Sequence, residues 1–135
     1  KDIPEKWNAL YREYLGIAPP DAARGCLQDI HWAHGTIGYF PTYTLGNILS
    51  AQFFRAAAKA HPSIPSEIER GEFATLHGWL KSNVYQHGMK FTAAELVPLA
   101  TGEPLTIEPY MDYLWNKYQP LYGLQESERT SGVPA

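Results

Sequence analysis

The sequence predicts an all-α fold, a multi-helix partial domain with one short irregular or β-like glycine-rich segment around residues 25–40. Three observations carry this reading. Apolar residues recur at spacings of three and four along four of the five expected helical stretches, the period of a helix that buries one face. Gly16, Gly88 and Gly102 stand where three of those stretches stop, as a left-handed terminal position favours. The segment GCLQDIHWAHGTIGYFP, residues 25–41, keeps no 3.6-residue period and shows only a faint alternation over Cys26 to Trp32.

The first helix is expected from Pro4 to Leu15. Trp7, Leu10, Tyr11, Tyr14 and Leu15 share a face, Pro4 suits the first turn and Gly16 ends it. IAPPDAARG has prolines, an Asp and a Gly without a period, so it reads as a loop. The glycine-rich segment follows as a short strand or irregular hairpin. After Pro41, Leu45, Ile48, Leu49, Gln52, Phe53 and Ala56 lie on one side of an Ala-rich helix of about five turns ending near His61, before Pro62. A turn through Pro65 leads to a helix marked by Phe73, Leu76, Leu80 and Val84 and stopped at Gly88. Thr92 and Glu95 have the T-x-x-E spacing of a capping box and open the next helix, which Gly102 closes. Ile107, Tyr110, Met111, Leu114, Tyr118 and Leu121 mark the last one. The organisation expected is a helical portion over 1–123 and a polar, aperiodic tail over 124–135 that reads as disordered.

Bulk chemistry narrows the function classes. A formal net charge of -3 with scattered basic residues leaves no footprint for nucleic acid or anionic lipid. No run approaches the length of a membrane helix, and the N-terminus carries no export signal, so neither membrane nor secretion is expected. The lone Cys26 fits a reducing compartment, with the cytoplasm as the default.

The five histidines are His31, His34, His61, His77 and His87, and none opens an HExxH pair, so no metal ligand is assigned on this chain. Cys26 has no evident base and reads as a small buried hydrophobe. What remains is a cluster of polar and aromatic residues: Gln28, Asp29, His31, Trp32, His34, Tyr39 and Tyr43. Asp29 could orient the His31 imidazole, and Tyr39 could offer a phenol to a developing oxyanion. The other reading is that these groups are hydrogen-bonded and simply pin an irregular loop.

GCLQDIHW, Gly25 to Trp32, matches a G-x-x-Q-D-x-H-W motif, and GYFPTYTLGN, Gly38 to Asn47, follows at a fixed distance. Together they resemble the carboxypeptidase Taq family, and the likeness runs on through AQFF, TGEPL and YLWNKYQPLYG, covering nearly all of residues 1–123. The resemblance implies a cytoplasmic, mostly helical metallocarboxypeptidase, commonly a homodimer, that removes C-terminal residues from peptides. Its cofactor is implied to be zinc, with cobalt as a substitute, held by an HExxH helix and a downstream Glu. Those ligands, and the arginine motifs for the substrate carboxylate, belong to a part of the family's chain that precedes this one. The expectation is therefore a C-terminal portion, inactive alone, whose partners are the missing N-terminal portion and the C-terminus of a peptide substrate. It would be an expressed fragment, a truncated reading frame or half of a split enzyme.

The family is similar in turn to angiotensin-converting enzyme and the thimet-type oligopeptidases, where a His and a later Tyr donate to the oxyanion. By that likeness His31 and Tyr39 are the catalytic candidates. Gln28, Asp29, Trp32, His34 and Tyr43 are the substrate-binding candidates. The alternative function is a non-catalytic helical interaction module derived from the same fold.

Overall fold

The computed structural model describes residues 2–129, and among them every regular element is helical. The six α-helices are α1 (Ile3–Leu15), α2 (Pro41–Ala60), α3 (Ile64–Glu69), α4 (Ala74–Asn83), α5 (Ala93–Thr101) and α6 (Glu108–Tyr122). Single 3₁₀ turns occur at Cys26–Gln28, Tyr85–His87 and Glu126–Glu128. The chain divides into two compact units, Lys1–Thr42 and Tyr43–Ala135.

In the first unit, α1 ends as its sequence requires. Gly16 sits at φ 69°, and its N–H donates to the Arg12 carbonyl at 3.2 Å. Trp7 and Tyr11, one turn apart, stack with ring centroids 5.0 Å apart. At Gly25 a Cβ would stand 3.1 Å from the Pro19 ring and 3.2 Å from the Asp21 carbonyl, tighter than ordinary contact, so a side chain there requires these neighbours to give by a few tenths of an ångström. Cys26 follows, buried as expected of a small hydrophobe.

Of the two forms expected for residues 25–40, the irregular one occurs, and no strand is found among the described residues. The reason lies in where the amides go. Ala33 N–H donates to Ile30 at 3.1 Å, Gly35 to Trp32 at 3.2 Å and Thr36 to His31 at 2.9 Å. With donors spent on carbonyls three to five residues back, no edge is left to pair as a ladder.

The second unit packs around Ala57, Ile64 and Trp79, from α2, α3 and α4, with Phe53, Ile68, Leu76 and Leu80 against them. Helix α3 replaces the turn expected through Pro65. A proline in the first helical turn costs no hydrogen bond, because that N–H has no partner within the helix, and the helix turns Ile64 and Ile68 toward the core. Helix α4 ends at Asn83, short of the expected stop. Val84 leaves helical geometry, a 3₁₀ turn follows, and Gly88 closes it at φ 54°.

The Thr92–Glu95 box forms: the Glu95 carboxylate accepts from the Thr92 backbone N–H at 2.8 Å and its hydroxyl at 2.7 Å. The Thr92 amide is the main cause holding the Glu95 carboxyl below its ordinary value. Gly102 ends α5 at φ 81°, its N–H donating to Pro98 at 2.9 Å.

Gln52 fastens the turn beyond α5 to α2. It is 1% exposed, donates to the Pro104 carbonyl at 2.9 Å and accepts from the Thr106 N–H at 3.1 Å. Arg55, one turn on, reaches Glu103 at 2.5 Å and Asp112 at 3.9 Å. Of the tail expected to be disordered from 124, residues 126–128 form a 3₁₀ turn and Arg129 pairs with Asp112. Residues 130–135 lie outside the described residues.

Candidate active site

Asp29 terminates the Cys26–Gln28 turn in extended geometry, at φ -79° and ψ 105°. This turns its carboxylate back over the residues that follow. Oδ1 accepts from the His31 backbone N–H at 2.9 Å and lies 2.5 Å from His31 Nδ1. Both side chains are mostly enclosed, His31 at 21% and Asp29 at 10% exposure. The His31 amide is the main cause that holds the Asp29 carboxyl below its ordinary value of 3.8. Burial opposes that effect, and the imidazole contact adds to it. Facing a carboxylate, Nδ1 is the nitrogen that carries the proton, which fixes the ring's orientation and tautomer.

Two aromatic residues complete the setting. Tyr39 stacks on the His31 ring with centroids 5.6 Å apart and planes 27° from parallel. Phe40 meets it edge-on at 5.5 Å and 89°. Gly35 and Gly38, at φ 69° and 80°, let the chain reverse between the imidazole and these rings.

Beside His31 lies a hollow of about 190 Å³ lined by Trp7, Asp29, Trp32, Thr36, Ile37, Gly38, Phe40 and Pro41. The structure thus brings Asp29, His31 and Trp32 to one concave surface, with Tyr39 against the imidazole. Gln28 is not among the walls; its amide donates to the Ala23 carbonyl at 2.5 Å and so braces the preceding loop. His34 is exposed in the turn that follows. Tyr43, 52% exposed, belongs to the second unit.

Sequence reasoning missed Trp7, which the helical period had given only a packing role. Its Nε1 is sealed from solvent and has no acceptor among the described residues.

The sequence profile of the carboxypeptidase Taq (M32) metallopeptidases matches residues 1–118. The chain belongs to this family. Thermostable carboxypeptidase 1 of Thermus thermophilus is 43% identical over 123 residues, 91% of this chain and 24% of that protein. Thermostable carboxypeptidase 1 of Pyrococcus furiosus is 41% identical over 118 residues, 87% of this chain and 24% of its own length. Among solved structures, the M32 carboxypeptidase of Deinococcus radiodurans superposes with a TM-score of 0.85 at 48% identity. That match covers 91% of this chain and 25% of that one. Metallocarboxypeptidase 1 of Trypanosoma cruzi gives 0.82 at 34% identity, over 87% of this chain and 25% of its own.

This M32 chain spans about a quarter of the length of the relatives it matches. Among the described residues no group of three or more His, Cys, Asp or Glu is placed to hold an ion, and His31 Nδ1 is engaged by Asp29. What this chain brings together is a carboxylate-bound imidazole, with aromatic rings around it, beside a hollow. Among the described residues no helix is long and apolar enough to cross a membrane.

Proposed function

We propose that this chain is the C-terminal portion of a cytoplasmic, zinc-dependent metallocarboxypeptidase that removes C-terminal residues from peptides, with the metal held by residues outside this chain. Its contribution is a wall of the substrate cleft and two donors, His31 and Tyr39, for the oxyanion that develops on the scissile carbonyl. Gln28, Asp29, Trp32, His34 and Tyr43 are assigned to substrate binding or its support.

The single observation that carries the reading is the Asp29–His31–Tyr39 cluster: a carboxylate-oriented imidazole with a phenol stacked on it at 5.6 Å, beside a hollow. A histidine whose Nδ1 serves a carboxylate acts on a substrate through Nε2, and Nε2 donates only from the protonated ring. The Tyr39 side chain offers a hydroxyl donor. Donors aimed where charge develops act on the transition state rather than on the bound substrate.

The test is Tyr39→Phe in the complete enzyme. The expected result is a loss of about 100 to 1,000-fold in kcat with KM little changed; unchanged turnover removes the role. Two further expectations follow for the 135-residue chain by itself. It takes up no stoichiometric zinc in a calorimetric titration, and it hydrolyses no peptide with a free C-terminus when zinc or cobalt is added. Turnover under those conditions would show that the chain needs no second portion.

A further inference from the structure

The hollow beside His31 has a chemistry of its own. Its volume is about 190 Å³, and most of its wall is carbon, from Trp7, Trp32, Ile37, Phe40 and Pro41. Trp7 adds nothing polar there, because its Nε1 is sealed and only other atoms of the residue reach the wall. The Asp29 carboxylate is on the wall with its Oδ1 taken by His31, and among the described residues no Lys or Arg lines the hollow. We infer that this hollow is a specificity pocket for the penultimate residue of the peptide, taking an uncharged, apolar side chain up to the size of a phenyl ring. The assignment rests on the carboxypeptidase reading, which supplies the peptide, and adds which of its side chains this wall selects.

The first support is size. An apolar cavity of about 150 Å³ accepts benzene, so the hollow has room for an isobutyl or phenyl group and little more. Water is a poor occupant of such walls, since an ordered one needs two to four polar partners. Here Asp29 Oδ1 already serves His31, and the Thr36 amide donates to the His31 carbonyl at 2.9 Å. Loosely held water gives way to an apolar group with a gain in affinity.

The second is position. His31 lines the hollow. In the proposed reaction its imidazole serves the carbonyl of the bond being cut, and that carbonyl belongs to the penultimate residue. The α-carbon of that residue is bonded to the carbonyl carbon itself, whereas the α-carbon of the departing residue is one bond farther away, beyond the nitrogen. The penultimate side chain therefore starts closer to the hollow.

The third is charge. The departing residue carries the free carboxylate on its α-carbon. Bringing that group beside Asp29, with no cation on the described wall, sets two anions against each other. The penultimate residue has no backbone charge and meets no such opposition. By the same argument the pocket rejects an acidic penultimate side chain.

The experiment measures kcat/KM of the complete enzyme, unaltered and with Ile37→Trp, on two peptide series. One varies the penultimate residue through Gly, Ala, Leu, Phe and Glu before a fixed C-terminal residue; the other varies the C-terminal residue behind a fixed penultimate Ala. Ile37 lines the hollow yet is 76% exposed, so a larger side chain narrows the pocket without needing core space. In the unaltered enzyme kcat/KM should rise about tenfold or more from Gly to Phe and fall for Glu. Ile37→Trp should remove most of that rise, leave the Gly peptide nearly unchanged and leave the second series as it was. A flat first series, an equal loss on every peptide, or an effect confined to the second series overturns the inference.

A binding measurement separates the two readings. N-acetylphenylalaninamide, which has no free carboxylate, is added to the complete enzyme and followed by saturation-transfer NMR, with N-acetylglycinamide as the control. The phenyl ring should receive saturation from the unaltered protein and lose it in Ile37→Trp; a ring signal that persists in the variant overturns the pocket. Ring binding of the expected kind in a protein that cuts no peptide removes the enzymatic reading and leaves the pocket standing. Peptide cleavage with a flat first series and no ring binding does the reverse.

Discussion

The Asp29 carboxylate grips His31 twice through one oxygen, at the backbone N–H and at Nδ1, 2.9 Å and 2.5 Å away. The two contacts close a small ring of atoms over two residues, so the imidazole's direction is set by the backbone itself. Removing the charge with Asp29→Asn keeps the shape but offers the ring an uncharged acceptor. In the complete enzyme kcat should fall while KM changes little, because positioning is lost and substrate contacts are kept. A fall in kcat/KM arising wholly from KM would instead assign Asp29 to substrate binding.

The same pair predicts a pH response. The folded pKa of Asp29 is lowered from 3.8. Its stabilising contribution is therefore complete above the unfolded value and is lost as pH falls below 3.8 through the lowered folded value. Melting curves taken down through that window should show the unaltered chain losing more Tm than Asp29→Asn, the two converging in acid. Parallel curves would mean that the contact contributes nothing to folding.

Gln52 is the buried polar group on which the 101–106 turn depends. Gln52→Ala leaves the Pro104 carbonyl and the Thr106 N–H without their partner, which should cost about 1–3 kcal/mol. Chemical denaturation measures it; a change within error would mean that water replaces the side chain without penalty.

Two glycines test the backbone argument with opposite signs. Gly102 stands at φ 81°, where an added Cβ meets no neighbour within 4 Å, so Gly102→Ala carries conformational strain alone and should destabilise by about 1–2 kcal/mol. Gly78 lies inside α4, also with nothing within 4 Å, and Gly78→Ala should stabilise by about 0.8–1 kcal/mol. Equal shifts in denaturation midpoint would contradict both.

The core prediction is Ile64→Ala. Ile64 is fully buried between Ala57 and Trp79, and its truncation should cost about 2–5 kcal/mol. A loss below that range would show that the neighbours collapse into the space.

Gly16, Gly102 and the Thr92–Glu95 box were legible because each acts through the few residues beside it, which the sequence displays directly. Helix α3 was not, because Pro65 is compatible both with a turn and with a first helical turn. The choice is made by Ile64 and Ile68 reaching Ala57 and Trp79, contacts that no local period encodes. Gln52 showed the same limit: its place on an apolar stripe was visible, but its partners lie about fifty residues away. At the site, Asp29 and His31 could be paired from their spacing. Trp7 could not be assigned to their hollow, since it comes from a helix more than twenty residues earlier.

The contacts that shape the histidine's surroundings span two residues to Asp29, eight to Tyr39 and nine to Phe40. Closing such short loops costs little chain entropy. The stretch from Gly25 to Pro41 therefore supplies the contacts around the imidazole from its own residues, with Trp7 added to the hollow from α1. A single residue inserted between His31 and Tyr39 would rotate the phenol off the imidazole while every helix downstream kept its register.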